Sequence, residues 1–153
     1  MNREVQLMKI STKGRYAIRL MLDLAEHSNN GNVSLKDVSD RQNISLKYLE
    51  QIVNMLSRAG LVRSQRGSNG GYRLERPADK ISAGDILRIT EGNIAPVACL
   101  EDEENTCPRA AQCLTLPLWQ GLYMVMNEYL DGVKLSDLMA KNSRDAMDMC
   151  LYI

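Results

Sequence analysis

Phenylalanine is missing from these 153 residues, and histidine occurs once, as His27. A single imidazole leaves little for general acid–base work, and no catalytic constellation stands elsewhere in the chain, so an enzyme is not expected. Long apolar runs are missing too: none approaches the ~20 residues that a membrane-spanning helix requires. The opening MNREVQLMKIS has no apolar core of the kind a secretory signal carries. A cytoplasmic, reducing setting is therefore expected. Net charge is absent as well, because 19 Lys and Arg balance 19 Asp and Glu.

That balance hides a division. Residues 1–90 carry 15 basic against 9 acidic side chains, a surplus of six, whereas residues 91–153 carry 4 against 10, a deficit of six. Opposite surpluses in two halves point to nucleic-acid binding by the basic half, the plainer alternative being two solvated faces of opposite sign. The length allows one compact domain, or a small domain with an oligomerisation arm. Methionine is frequent, with nine copies, which suits an adaptable apolar core.

The pattern of the basic half predicts short helices. Thr12 caps a first helix to about His27, with Ala17, Leu20, Met21, Leu24 and Ala25 on one face. Ser34, with Asp37 three residues on, opens a second helix in a variant of the capping box. Asn43 makes a turn, and Ser45 caps a third helix whose apolar stripe is Leu49, Ile52, Val53 and Leu56, stopped by Gly60. Two short helices about a tight turn form a helix-turn-helix, with the second as recognition helix. Val62–Gln65 and Tyr72–Leu74 are strand candidates joined by the glycine-rich loop 67–71, a hairpin of the kind called a wing. Ser82 and Asp85 start a fourth helix through about Glu91. Thr115 and Pro117 start a fifth, ended by Gly132, whose apolar residues Leu118, Trp119, Leu122, Tyr123, Val125, Met126, Tyr129 and Leu130 cover more than one face. Such a helix needs two partners, one its own domain and the other a second copy of itself. LSDLM adds a further turn or two, and residues 141–153 read as weakly ordered. The expected fold is mainly α with a small β-hairpin. A winged helix-turn-helix DNA-binding domain (8–80) precedes the cysteine loop and dimerisation helices (81–140) and a C-terminal tail (141–153).

Three of the four cysteines, Cys99, Cys107 and Cys113, fall within fifteen residues of a very acidic loop, CLEDEENTCPRAAQC; the fourth is Cys150. In a reducing compartment, thiols gathered in this way are more often metal ligands or redox centres than structural disulfides. Thiolates suit both iron–sulfur clusters and tetrahedral zinc, and the residues alone do not separate these from a thiol redox switch.

On the recognition helix, Ser45, Lys47, Tyr48, Glu50 and Gln51 lie at the end that reaches base edges in the major groove, with Asn54 further along the same exposed side. Glu50 can accept from a cytosine amino group and Gln51 can pair with adenine, while Lys47 and Arg58 suit phosphates. Arg66, at the entrance to the wing tip, can enter a minor groove, with Arg63 and Arg73 close by.

MKISTKGRYAIRLMLDLA, SLKYLEQIVNMLSRAGLVRSQRGSNGGYRL and ISAGDILRITEG resemble the winged-helix transcriptional regulators typified by IscR, NsrR and CymR, from about Met8 to Leu138. Met1–Leu7 precede the usual start of that family. The resemblance implies a dimeric transcription factor acting on a palindromic operator in double-stranded DNA, with the fifth helix between the two copies. It also implies base readout by Glu50, minor-groove insertion of Arg66, and an iron–sulfur cluster of the [2Fe–2S] type on Cys99, Cys107 and Cys113. Two departures stand out. Seven residues separate the first two cysteines where IscR members commonly have five, and Leu116 occupies the place of their ligating histidine. The carboxylate position used by NsrR-type members is Arg15 here. A fourth ligand could come from Glu101, Asp102, Glu103, Glu104, Thr115, Cys150 or an exogenous molecule. CymR-like members lack the trio, yet Ala95-Pro96-Val97, the acidic run after Leu100 and the terminal Leu151-Tyr152-Ile153 resemble theirs. That likeness implies the alternative, a regulator of cysteine metabolism whose tail binds a cysteine-synthesising sulfhydrylase.

Overall fold

Four helices begin on a serine whose hydroxyl accepts a backbone N–H that the first turn would otherwise leave orphaned. In the computed structural model, which describes residues 9–140, Ser11 caps α1 (Thr12–His27) and Ser34 caps α2 (Leu35–Gln42). Ser45 caps α3 (Leu46–Arg58), and Ser82 caps α4 (Ala83–Glu91) in a complete capping box with Asp85. The expected cap at Thr12 is thus corrected by one residue. The Thr12 hydroxyl instead accepts from Arg15, while Ser11 is fixed by Glu91 at the far end of α4, whose carboxylate accepts from Ser11 N (3.0 Å) and Oγ (2.7 Å). Asn43 closes α2 in the left-handed region at φ 54°, a conformation asparagine tolerates better than most residues.

The apolar stripes predicted for the first three helices are the ones that bury. Ala17, Leu20, Met21 and Leu24 of α1, Leu35 and Val38 of α2, and Leu49, Ile52, Val53 and Leu56 of α3 form one core with Ile81, Ile86 of α4, and Leu135. The last of these arrives from far along the chain. α5 (Leu116–Gly132) runs out beside α4 and is followed by α6 (Leu135–Ala140). At that return, Ala83 N donates to Val133 O (2.9 Å) and Leu135 N to Ile81 O (3.0 Å), so the segment after α5 pairs with the start of α4.

The hairpin pairs β1 (Val62–Gln65) with β2 (Gly71–Leu74), antiparallel, from Val62 opposite Leu74 to Gln65 opposite Gly71. A further pairing had no signal in the sequence: Val33 exchanges two main-chain hydrogen bonds with Tyr72, at 2.9 and 2.8 Å. Gly71 permits this approach. Its φ is +145°, and a Cβ there would stand 2.6 Å from Val33 O. The hairpin directly after the α2–turn–α3 unit makes a mainly helical winged fold, as expected. No helix among the described residues is long and apolar enough to cross a membrane. The expectations placed on Met1–Leu7 and on the tail, Cys150 and Leu151–Ile153 included, lie outside the described residues.

Candidate nucleic-acid interface and cysteine loop

Burial of one stripe of α3 leaves the opposite side to solvent. Lys47, Glu50, Gln51, Asn54 and Arg58 are exposed, and none of the three charged ones forms an ion pair with another described residue. Ser45 is committed as the cap, its Oγ accepting from Tyr48 N at 3.3 Å. Tyr48 differs from its neighbours. It is half-buried against the core and meets Tyr16 edge-on, with ring centroids 5.7 Å apart. The Arg19 guanidinium lies 5.3 Å from the Tyr16 ring centre and also hydrogen-bonds Gln42, so this aromatic pair ties the start of α3 to α1.

A second tie acts through charge. Asp23, on α1, is 1% exposed. Its carboxylate accepts two hydrogen bonds from Arg41 (3.1 and 2.7 Å) and one from Gln42 (3.0 Å). Burial pushes this carboxyl upward, but the hydrogen bonds from Arg41 and Gln42, with the charges of Arg41 and His27, outweigh it and hold the group below the usual carboxylate range. The contact fastens the end of α2, and with it the turn that aims α3. His27 sits beside it, Nδ1 at 2.8 Å from the Asp23 carbonyl oxygen.

In the wing, Arg63 is engaged. It forms a two-point pair with Glu75 at 2.8 and 2.6 Å. Arg66 and Arg73 are exposed and make no ion pair with another described residue. Gly67, at φ +110°, shapes the tip, closed by Gly70 N donating to Gly67 O at 3.0 Å.

Between α4 and α5 the chain is built from local turns, and no residue from 95 to 115 is buried. Cys99 lies half-buried in a 3₁₀ turn, Ala98–Leu100; Cys107 is exposed; Cys113 is half-buried after a second such turn, Ala110–Gln112; all three are free thiols. Among the described residues, no group of three or more His, Cys, Asp or Glu side chains is gathered so as to hold a metal ion. The trio is therefore not assembled in the single chain, each thiol being set by its own turn. Cys113 is distinct in its chemistry. The Thr115 hydroxyl, 3.4 Å from its Sγ, the backbone N–H groups of Thr115 and Leu116 and the charge of Arg109 together hold this thiol below its ordinary range, against the opposing effect of desolvation. Glu101, Asp102, Glu103 and Glu104 are all exposed.

Beyond the loop, no side chain of α5 is buried. Leu118, Val125 and Tyr129, at 61%, 58% and 64% exposure, fall along one face. The other side is clamped to α4 by Arg88, which donates to Asp131 Oδ1 (2.7 Å) and Asn127 Oδ1 (2.8 Å). Gly84 leaves room for that clamp, since a Cβ there would stand 2.3 Å from Asp131 Oδ1.

No local pattern in the sequence marks Asp23, Asn32, Gly71, Gly84 or Glu91 as functional or structural partners, because what each of them meets is remote in the chain. Comparison with known proteins bears on the whole arrangement. Residues 10–141 match the family described as "Rrf2: Iron-dependent Transcriptional regulator". Protein rrf2 of Nitratidesulfovibrio vulgaris is 42% identical over 144 residues, covering 94% of this chain and 95% of that one. The HTH-type transcriptional regulator IscR of Aliivibrio salmonicida is 43% identical over 135 residues, covering 88% and 79%. Among solved structures, CymR, the global cysteine regulator of B. subtilis, superposes with a TM-score of 0.67 at 45% identity, covering 86% of this chain and 96% of that one.

Proposed function

The chain belongs to the Rrf2 family of transcriptional regulators, and from that premise we propose that it binds a palindromic operator as a homodimer, under the control of an iron–sulfur cluster. Lys47, Glu50 and Gln51 enter the major groove from the exposed face of α3, with Lys47 and Arg58 at phosphates and Glu50 and Gln51 at base edges. Arg66 reaches the minor groove from the wing. Arg63, already paired with Glu75, adds to the local potential rather than to readout. Ser45 and Tyr48 serve by holding the helix that carries the readers.

The observation that carries the dimer is the uncovered face of α5. Leu118, Val125 and Tyr129 form an apolar stripe that a single chain leaves in water, and a second copy of the same stripe is its natural cover. The twofold axis would then set two copies of α3 at successive major grooves.

The donor chemistry of the loop fits a [2Fe–2S] cluster. Cys99, Cys107 and Cys113 would hold it, three free thiols of which Cys113 is held below the ordinary thiol range by the Thr115 hydroxyl. Assembly has to draw the three together, and the loop can yield without disturbing the core because residues 95–115 are unburied. When bound, such a cluster supplies a labile, redox-responsive centre next to the dimer helix. The partner-enzyme alternative needs the tail, residues 141–153, which lies outside the described residues.

Protein purified without air tests this reading. Red-brown material with thiolate-to-iron absorption, equal iron and acid-labile sulfide, and operator affinity that changes on cluster removal is expected. Colourless protein whose DNA binding ignores iron would end the cluster part, and a monomer in sedimentation would end the dimer part.

A further inference from the structure

The wing tip, residues 66–70, is mostly exposed and contains two glycines, yet one side chain from outside the hairpin holds it. Asn32, in the link between α1 and α2, donates from Nδ2 to Gln65 Oε1 (2.9 Å) and to the main-chain oxygen of Asn69 (3.0 Å). Among the described residues, this is the hydrogen bond that reaches the tip from beyond β1 and β2. Asn32 is itself well placed, because the next residue, Val33, is locked to Tyr72 by two main-chain bonds.

The amide is not free to turn over. A flip would set its oxygen against the Asn69 carbonyl, which can only accept. The observed orientation leaves Asn32 Oδ1 buried with no hydrogen-bond partner. Folded proteins rarely leave a buried acceptor orphaned, because it has lost water and gained nothing. Here the orphan accompanies one bond to an otherwise untethered tip and one to the strand end where the tip begins, beside the arginine proposed for minor-groove readout.

We propose that Asn32 is a positioning residue for DNA recognition: it latches the wing tip so that Arg66 is presented to the minor groove before DNA arrives. The inference rests on the DNA-binding reading above. Without the latch, Gly67 and Gly70 open many conformations to the tip, and ordering them on binding lowers affinity without removing a contact to DNA. Asn32 therefore acts only through the wing arginine, and its effect disappears when that arginine is gone.

The test uses the full chain and, as probe, a duplex that the wild-type protein enriches from a randomised library. Asn32→Ala should weaken binding about 5- to 10-fold, whereas Asn32→Ala combined with Arg66→Ala should bind no more weakly than Arg66→Ala alone. In the free protein, amide exchange across 66–71 should quicken in Asn32→Ala while α2 and α3 stay protected, which a general loss of structure would not produce. Should Asn32→Ala fail to fold, Gln65→Ala removes one of the two latch bonds at an exposed strand end. It should weaken binding by a smaller factor, again absent in the Arg66→Ala background. Independent, multiplying losses from Asn32 and Arg66, or unchanged affinity and exchange, would overturn the latch while the DNA-binding reading stands. If the wild type enriches no duplex, or Arg66→Ala binds as well as the wild type, the reading itself fails and the latch falls with it.

Discussion

At the scale of single residues, Asp23 is the least exposed charge among the described residues. It is 1% exposed and has both carboxylate oxygens bonded. Removing one partner of such a pair is strongly destabilising, so Asp23→Ala should cost about 2–4 kcal/mol in urea unfolding at pH 7. Its pH dependence has a definite sign. The folded carboxyl lies below its ordinary value of 3.8, so the unfolded chain binds the proton more readily. The stabilisation is whole above 3.8 and is lost as pH falls through the folded value. The gap between wild type and Asp23→Ala should therefore narrow below pH 3.8, and a gap that stays constant to pH 2 would refute the assignment. Gly14 offers a sharper sign test. A Cβ there would lie 2.1 Å from Glu91 Oε1, the atom that fixes Ser11. Gly14→Ala should destabilise, although alanine is favoured by about 1 kcal/mol in a helix; in a Glu91→Ala background the same change should stabilise. Both residues show why parts of the fold were hidden in the sequence. Ser34, Ser45 and Ser82 were legible because a cap acts within three residues. Asp23 finds Arg41 18 residues away and Ser11 finds Glu91 80 residues away, beyond any periodicity window.

At the scale of elements, α5 separates what a pattern can say from what it cannot. Its sequence is apolar on most sides, and that alone predicted two partners. Which arc meets which partner depends on packing: Arg88 draws the Asn127–Asp131 side to α4, leaving Leu118, Val125 and Tyr129 outermost. Val125→Asp should place a carboxylate in the proposed seam, an environment in which an unpaired charge is not tolerated. Sedimentation should then show monomers at micromolar concentration where the wild type is dimeric, with the thermal unfolding of the winged core little changed. A persistent dimer would put the seam elsewhere. The cysteine loop shows the converse limit. Its residue types and crowding were plain in the sequence, but the local turns that keep the three thiols apart depend on backbone detail such as the Asn105 side chain accepting from Cys107 N.

At the scale of the whole molecule, the two charge surpluses fall on different structures, the basic one on the helix-turn-helix and wing and the acidic one on the loop and α5. A cluster held by only three thiols has no redundancy, so Cys99→Ala, Cys107→Ala and Cys113→Ala should each lose most iron and sulfide while keeping the helical content of the wild type. Full iron retention in all three variants would exclude the loop as the site. How such an event could be felt at DNA follows from where α5 is fastened. Its polar attachments gather at one end: Arg88 to Asn127 and Asp131, Ala83 to Val133, and Leu135 to Ile81. The thiols enter at the other end, and 17 residues of helix separate the two by about 25 Å. In mechanical terms α5 is a lever whose fulcrum is the Asp131–Leu135 anchorage. A displacement of ~2 Å at Thr115 is a tilt of roughly 5° about that fulcrum. In the proposed dimer a twofold axis would double the relative rotation between copies, so a small closure of the loop around the proposed cluster would become a change in the angle at which two recognition helices meet one duplex.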